Sequence, residues 1–410
     1  MKLLTLAARN LFRNLRRTLI TLAAVAFGLV FVHLMITIQT GQYDEMFEKG
    51  ISGQAGHVVV QEKDYQEERD DGMLVPDASK VAAEMKQALP DATITPRLQL
   101  QGLLTSTTGA SRVSLNAGIP EAEAAVQELD ERVVEGEWLS DDQGIVLGEQ
   151  LARSLGVSIG DKVVYRGKHA DQPEETSRLF RVKGMFRTGS ATIDGMVAVA
   201  TLHAAQELLD GRDVAHQVAA HLPTATGSEQ AVEAVRAVIT DDSLAVLHWK
   251  QAIPELYALI EVDRISGDVM MSILGLIVVM SVVNTVLMSA LERTREFGVM
   301  LAIGLKPRQL STLILMEGAV LGVAGSLLGL VLGIAVSSYF VHYGLDIASM
   351  AGTDTIETGG VVLDGVMYGA WNPLRMFNYT VAAIVCTTLA ALYPAFHVSR
   401  LQPVDAMRHV

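Results

Sequence analysis

Apolar residues are not spread evenly along this chain. Four segments, residues 18–38, 269–291, 310–341 and 379–396, are almost free of charge. The first holds 21 residues. As a helix it would be about 31 Å long, close to the ~30 Å hydrocarbon core of a bilayer. The third is longer and has to tilt or protrude. Pro394 interrupts the fourth near its end. The pattern predicts four transmembrane helices, over 18–39, 267–291, 310–341 and 379–397. Runs this long are rare among the buried helices of soluble proteins.

Between the first two runs the pattern changes. GHVVVQ (56–61), TITPRLQLQGLLTS (93–106) and SRVSLNAGI (111–119) are rich in β-branched residues and predict strands. GIVLGEQLARSLGVSIGDKVVYR (144–166) predicts a strand, a short helix, a tight turn at 159–161 and a second strand. SRLFRVKGMFRTG (177–189) and MVAVATL (196–202) continue the β pattern. AHQVAAHLP, GSEQAVEAVRAVIT and SLAVLHW then predict strand, helix and strand. Residues 40–266 are thus expected to form an α/β domain with a β-rich insert at about 111–209.

Charge orients these pieces. Half of the chain is apolar, 19% is charged and the net charge is −14. The first 17 residues, the 292–310 loop and the tail after Val398 together carry +8, so the remainder carries −22. Short basic loops stay in the cytoplasm. Both termini and the loop at 292–309 are therefore expected inside, with 40–266 and the 342–378 loop outside and a cytoplasmic tail at 398–410. Residues 1–17 place Arg9, Arg13 and Arg16 away from an apolar stripe of Leu4, Ala8, Leu11 and Leu15. That suits a helix lying on an anionic membrane surface, and equally a basic flank that only sets topology. The first apolar run is too long for a typical signal peptide, so an uncleaved anchor is expected.

Candidate chemistry is sparse. There is no G-x-x-x-x-G-K-[ST], H-E-x-x-H or C-x-x-C. The histidines are scattered and Cys386 is the single cysteine. Neither a catalytic residue nor a metal site is expected, and the chain does not read as an enzyme. The acidic run EKDYQEERDD (62–71) reads as a solvated loop.

The spans carry more information. Gly318 and Gly322, then Gly325, Gly329 and Gly333, recur four apart, the spacing that lets another helix approach closely. That helix could belong to this chain or to a moving interface. Glu317, inside the third span, is expected to reach the cytoplasmic edge or to pair with a neighbouring cation. The second span is rich in methionine. Met270, Met271 and Ile273, with Met35 of the first span, are candidates for an adaptable apolar substrate cavity, though ordinary lipid contact explains them as well.

The loop SALERTREFGVMLAIGLKPRQL (289–310) stands out. Phe297, Met300, Leu301 and Gly304 share one face at helical spacing. Glu292 and Glu296 lie one turn apart on another face, flanked by Arg293 and Arg295, and Lys306–Pro307 supplies a break. A loop that only orients spans needs no amphipathic helix, whereas such a helix fits a groove on a partner.

Taken together, one span, a large outer domain and three further spans, with ERTREFGVMLAIGLKPRQL after span two and YPAFHVSRLQPVDAMRHV at the end, resemble the FtsX-like permeases of the MacB/LolC/LolE type, the type VII ABC transporters. LAARNLFRNLRRTLITL, EGEWLSDDQGIVLGEQLARSLGVSIGDKV and MEGAVLGVAGSLLGLVLG add to the likeness, which covers essentially the whole chain. The resemblance implies an α-helical membrane protein with four transmembrane helices and a large extracytoplasmic α/β domain of MacB-like type, with Porter and Sabre subdomains. It implies a multi-pass protein of the bacterial inner membrane, working with a second permease copy, identical or paralogous, and two copies of a cytoplasmic ABC ATPase. ATP and magnesium would sit on that ATPase, with no cofactor bound by this chain. Glu292, Arg293, Arg295, Glu296, Phe297, Gly298, Gly304 and Lys306 would then form the coupling helix on which the ATPase acts. The absence of a nucleotide-binding motif and the long loop MAGTDTIETGGVVLDGVMYGAWNP (350–373) are similar to the LolC/LolE-like branch. Lipoprotein release from the inner membrane is the leading expectation, with membrane lipid and a periplasmic carrier or adaptor as further partners and no nucleic acid. Efflux of peptides or amphiphiles and FtsX-like signalling to a cell-wall hydrolase are the alternatives.

Overall fold

The computed structural model describes residues 15–68, 72–168, 174–223, 227–347, 349, 355–358 and 361–399. The expected surface helix over 1–17 lies outside them up to Asn14, as does the tail from Arg400. The chain forms two compact units, one of Met1–Asp44, Glu261–Leu345 and Val366–Val410, the other of Glu45–Ile260 and Asp346–Gly365.

The first element, α1 (Leu15–Gly50), is about 54 Å long at 1.5 Å per residue. It outruns the expected 18–39 because its polar C-terminal third keeps the same helical hydrogen bonding beyond the apolar run. A π turn, Ile51–Ala55, ends it, stopped by Gly56 at φ 81°. The second unit then runs through β1 (Val58–Glu62), α2 (Ala78–Ala88), β2 (Thr93–Thr105), β3 (Ala110–Gly118), α3 (Pro120–Gln127), β4 (Val133–Gly136) and β5 (Gly144–Gly148). It continues with α4 (Glu149–Leu155), β6 (Lys162–Gly167), β7 (Thr176–Phe186), β8 (Val197–Thr201), β9 (Gln217–His221), α5 (Ser228–Val238) and β10 (Leu244–His248).

Strand β2 serves two sheets. Its first part, Thr93 to Arg97, pairs β9, extending an antiparallel order β10-β1-β9-β2. Helices α2 and α5 cover one face of it, burying Val58, Val60, Val81, Met85, Val218 and Val235. From Leu98 onward β2 pairs β3, and its end also pairs β6. The order β2-β3-β8-β5-β7-β6 then returns to β2, a closed ring of six strands. Alternate residues point inward, as the period of two requires: Leu98, Leu100 and Leu104; Val113 and Leu115; Ile145 and Leu147; Val163 and Tyr165; Phe180 and Val182; Ala198 and Ala200. Closure removes the edges an isolated insert would expose. The insert therefore starts at Leu98 rather than at 111, because one continuous strand is shared by both pieces. Gly102 permits that sharing: a Cβ there would lie 2.6 Å from the Tyr165 ring.

Four helices among the described residues are long and apolar enough to cross a membrane. After α1 come α6 (Pro254–Glu292), the short α7 (Thr294–Ala302) and α8 (Pro307–Tyr343). A hairpin of β11 (Thr355–Thr358) and β12 (Val361–Asp364) follows, then α9 (Pro373–Ala390) and α10 (Leu392–Ser399). Helix α6 begins at Pro254, well before the expected 267, again because a polar segment continues the helix. Helix α9 begins at Pro373 rather than 379: Asn372 caps it, accepting from the Arg375 amide at 3.1 Å, and proline suits the first turn. The break near the end falls at Ala391, not at Pro394. Pro394 sits in the first turn of α10, where its missing N–H costs little. Exposed Tyr339, Tyr343, Trp371 and Phe377 gather at the end of α8 and around the start of α9, the placement of an interfacial aromatic belt.

Candidate coupling site

The loop between α6 and α8 is built around one residue. At Arg293 the backbone leaves the helix, at φ −105° and ψ 12°, and α7 starts anew at Thr294. The Arg293 side chain turns inward and is buried, at 8% exposure, with Glu317 of α8 at 7%. Its Nη1 donates to both Glu317 oxygens, at 3.1 and 3.4 Å, and its Nε donates to Glu296 at 3.1 Å. The guanidinium also lies 5.1 Å from the centre of the Phe297 ring. One cation thus joins the break, the first turn of α7 and α8.

The apolar face of α7 is used within the chain. Phe297 is fully buried, and Met300 and Leu301 pack on a cluster that includes Val282, Val286, Leu310, Ile314 and Ala391. This corrects the expectation that the Phe297 face is offered to a partner. Arg293, Phe297 and Gly298 are buried, and Glu292 closes α6 while Glu296 belongs to α7, so these two acids share no helix face. Glu292, Arg295, Val299, Ala302 and Ile303 remain outward, the last at 81% exposure, with Gly304, Lys306 and Arg308 beyond. Gly304 stands at φ 102°, a conformation that favours glycine, and ends α7. Lys306 caps α8, its amide donating to Gln309 Oε1 at 3.0 Å.

The glycines of α8 divide between two neighbours. A Cβ at Gly318 or Gly322 would strike Ala391 or Thr387 of the last membrane helix and its break. At Gly325, Gly329 and Gly333 it would strike Val25, Leu29 and His33 of α1. The stripe therefore packs this chain's own helices together.

The candidate cavity residues do not converge. Met35 and Met271 pack together with Val32, Ile36 and Met376, whereas Met270 and Ile273 face outward. Helical periodicity explains the split, since adjacent positions 270 and 271 point about 100° apart. A shallow groove of about 420 Å³ does follow α6, lined by Ile265, Asp268, Val269, Ser272, Ile273 and Leu276. Of these, Asp268 pairs with Arg375 and accepts from the Tyr379 hydroxyl at 3.0 Å; earlier on α6, Asp263 accepts from the Tyr43 hydroxyl at 2.6 Å. These groups went unremarked in the sequence. Asp263 and Asp268 just ahead of the apolar run at 269–291, and Arg375 two residues after Pro373, were the available signal.

A four-span membrane protein with a two-lobed α/β and barrel domain, and a clamped amphipathic helix between spans two and three, defines a transporter-permease architecture. The MacB-like periplasmic core domain family matches residues 18–238, and the FtsX-like permease C-terminal family matches 269–403. The chain belongs to the FtsX-like, MacB-type permeases: it is an ABC transporter permease of the LolC, MacB and FtsX type and a multi-pass membrane protein. It is similar to the lipoprotein-releasing system transmembrane protein LolC of Neisseria meningitidis serogroup B, 22% identical over 96% of this chain and 94% of that one. It is also similar to the macrolide export ATP-binding/permease protein MacB of Bdellovibrio bacteriovorus, 30% identical over 31% of this chain and 16% of that protein. Among solved structures, the periplasmic region of MacB from Actinobacillus actinomycetemcomitans aligns with 49% of this chain and 92% of its own, at 13% identity and a TM-score of 0.37.

Proposed function

We propose that this chain is the permease subunit of an inner-membrane ABC transporter whose ATPase is a separate chain, and that it releases lipoproteins from the outer leaflet by mechanotransmission. The likeness to a LolC protein along nearly its whole length carries the lipoprotein reading. The clamped α7 supports the mechanical one. Buried Arg293 and Phe297 fasten the helix to α8 and the membrane cluster, so a push on its outer face moves helices rather than a slack loop. Arg295, Val299 and Ile303 form the surface for a cytoplasmic ATPase that carries ATP and magnesium, and two such ATPases serve a pair of permeases. The basic charge of the 292–310 loop and of the two ends of the sequence supports a cytoplasmic placement for them. A periplasmic carrier or adaptor would meet the outer barrel, whose exposed Arg112, Leu103 and Arg166 lie in one cross-strand row.

Depletion followed by membrane fractionation tests this. Outer-membrane lipoproteins are expected to accumulate in the inner membrane, and normal sorting would sink the reading. The matches to macrolide export proteins keep efflux of amphiphiles as the second reading. Normal lipoprotein sorting with raised sensitivity to amphiphilic drugs would favour it.

A further inference from the structure

The π turn that ends α1 is held by a buried cation. Arg97 of β2 and Glu123 of α3 are both buried, and the pair is a two-pronged fork: Nε and Nη2 donate to the two carboxylate oxygens at 2.7 and 2.9 Å. Gln127 donates to the same carboxylate at 2.5 Å. The guanidinium also faces the turn, with Nη2 donating to the Ser52 carbonyl at 2.9 Å and Nη1 to that of Gly53 at 3.4 Å. Next to it, the Gln217 side chain donates to the Gln54 carbonyl at 2.8 Å. The last carbonyls of a helix lack partners within it and carry its negative end, so a fixed cation satisfies them in both senses. The carboxylate itself depends on a glycine, because a Cβ at Gly118 would lie 2.7 Å from the Glu123 side chain.

The place of Arg97 on β2 matters as much as its bonds. Arg97 registers with Gln217 of β9, and the next residue, Leu98, registers with Ala117 of β3. Arg97 therefore stands where β2 passes from the α/β sheet to the barrel. A displacement of the π turn bears at that point on both lobes at once. A lysine could not do this, since a point-like ammonium lacks the planar fork that reaches a carboxylate and two carbonyls together.

We propose that Arg97, held by Glu123, is the positioning residue through which movement of the α1 end is passed to both lobes of the outer domain. This rests on the mechanotransmission reading above. The test uses the full-length protein in nanodiscs with the ATPase that co-purifies with it. Hydrogen exchange is followed with ADP and with a non-hydrolysable ATP analogue, for the wild type, Arg97→Lys and Glu123→Gln. The wild type is expected to change exchange in peptides of the π turn and of β3 and β6 when the analogue binds. Both variants are expected to exchange about tenfold faster over 51–56, to keep wild-type protection in β1 and β9, and to lose the nucleotide response in β3 and β6. A purely structural role would speed exchange throughout the domain or leave the nucleotide response intact, and either result overturns the proposal. A wild type with no nucleotide response in the outer domain removes the mechanical reading itself. The lipoprotein reading is decided separately by the depletion experiment.

Discussion

Two buried arginine–glutamate pairs sit at helix ends in the two units, and they are built differently. Arg293 uses one nitrogen for both oxygens of Glu317, spends its Nε on Glu296 and lays its plane by the Phe297 ring. Arg97 meets Glu123 with two parallel bonds and turns its remaining donors to backbone carbonyls. The first pair bonds side chains drawn from the α6–α7 break and α8; the second bonds a side chain to the end of a helix. The contrast teaches that charge near a helix end need not be a solvated or partner-facing feature. In both units it fastens a break in the backbone, and each arginine has several fixed directions to spend.

The largest expected effect breaks the membrane-unit pair. Arg293→Ala leaves Glu317 buried without its cation and should cost about 3–5 kcal/mol, with little of the protein reaching the folded, detergent-stable form. Arg293→Met with Glu317→Leu should recover most of the thermal midpoint. A single variant as stable as wild type would show the pair to be ornamental.

The next separates fastening from contact. Ile303→Glu changes a residue that is 81% exposed and outside the pair. Binding of the co-purified ATPase should weaken by about thirtyfold, the size of a central contact, while the thermal midpoint stays put. Undiminished ATPase binding would move the docking surface away from Arg295, Val299 and Ile303.

Packing alone is probed by Gly329→Val. Its Cβ would meet Leu29 and Ala26 of α1 at 2.9–3.1 Å, so about 1–3 kcal/mol of destabilisation is expected by thermal unfolding. An unchanged midpoint would mean that α1 and α8 separate readily, as a moving interface requires.

The smallest effect distinguishes the two pairs by pH. Near Arg97, burial first, then the charges of Arg97 and His57, hold His221 down from 6.5 to about 3. His57 and His248 are also lowered, chiefly by burial. An unfolded histidine takes its proton near pH 6.5 while folded His221 stays neutral. Its contribution to stability is therefore complete above pH 6.5 and is lost as pH falls from there toward 3. The loss for His221 is at most about 1.4 kcal/mol per pH unit. The 292–310 loop contains no histidine. Acidification from pH 7.5 to 5 should thus raise hydrogen exchange in β1 and β9 before that of α7, and His221→Gln should reduce the difference. Equal responses in the two regions would count against it.

Much of the architecture was legible in the chain. The run at 93–106, read as a strand from its β-branched residues, holds the strand Thr93–Thr105; the run from Gly144 to Arg166 is the strand, helix, turn and strand it looks like. The site was legible only in part. Spacing put Phe297, Met300 and Leu301 on one face, and they share it, but spacing does not say what covers a face. Here the membrane helices of the same chain cover it. Arg293 and Glu317 are 24 positions apart and Arg97 and Glu123 are 26 apart, separations at which no periodic rule operates.

Sequence alone therefore determined which segments are apolar enough to enter a membrane and which read as strands. Those are local or additive properties, set by the transfer energy of each side chain and by the fixed periods of helix and strand. Tertiary structure decided that β2 closes a barrel while also serving a second sheet, that the glycine stripe packs against two different helices, and that Arg293 and Arg97 turn inward. Such choices depend on which distant carboxylate, carbonyl or methyl group arrives beside a residue once the chain has folded, and only the folded chain brings them together.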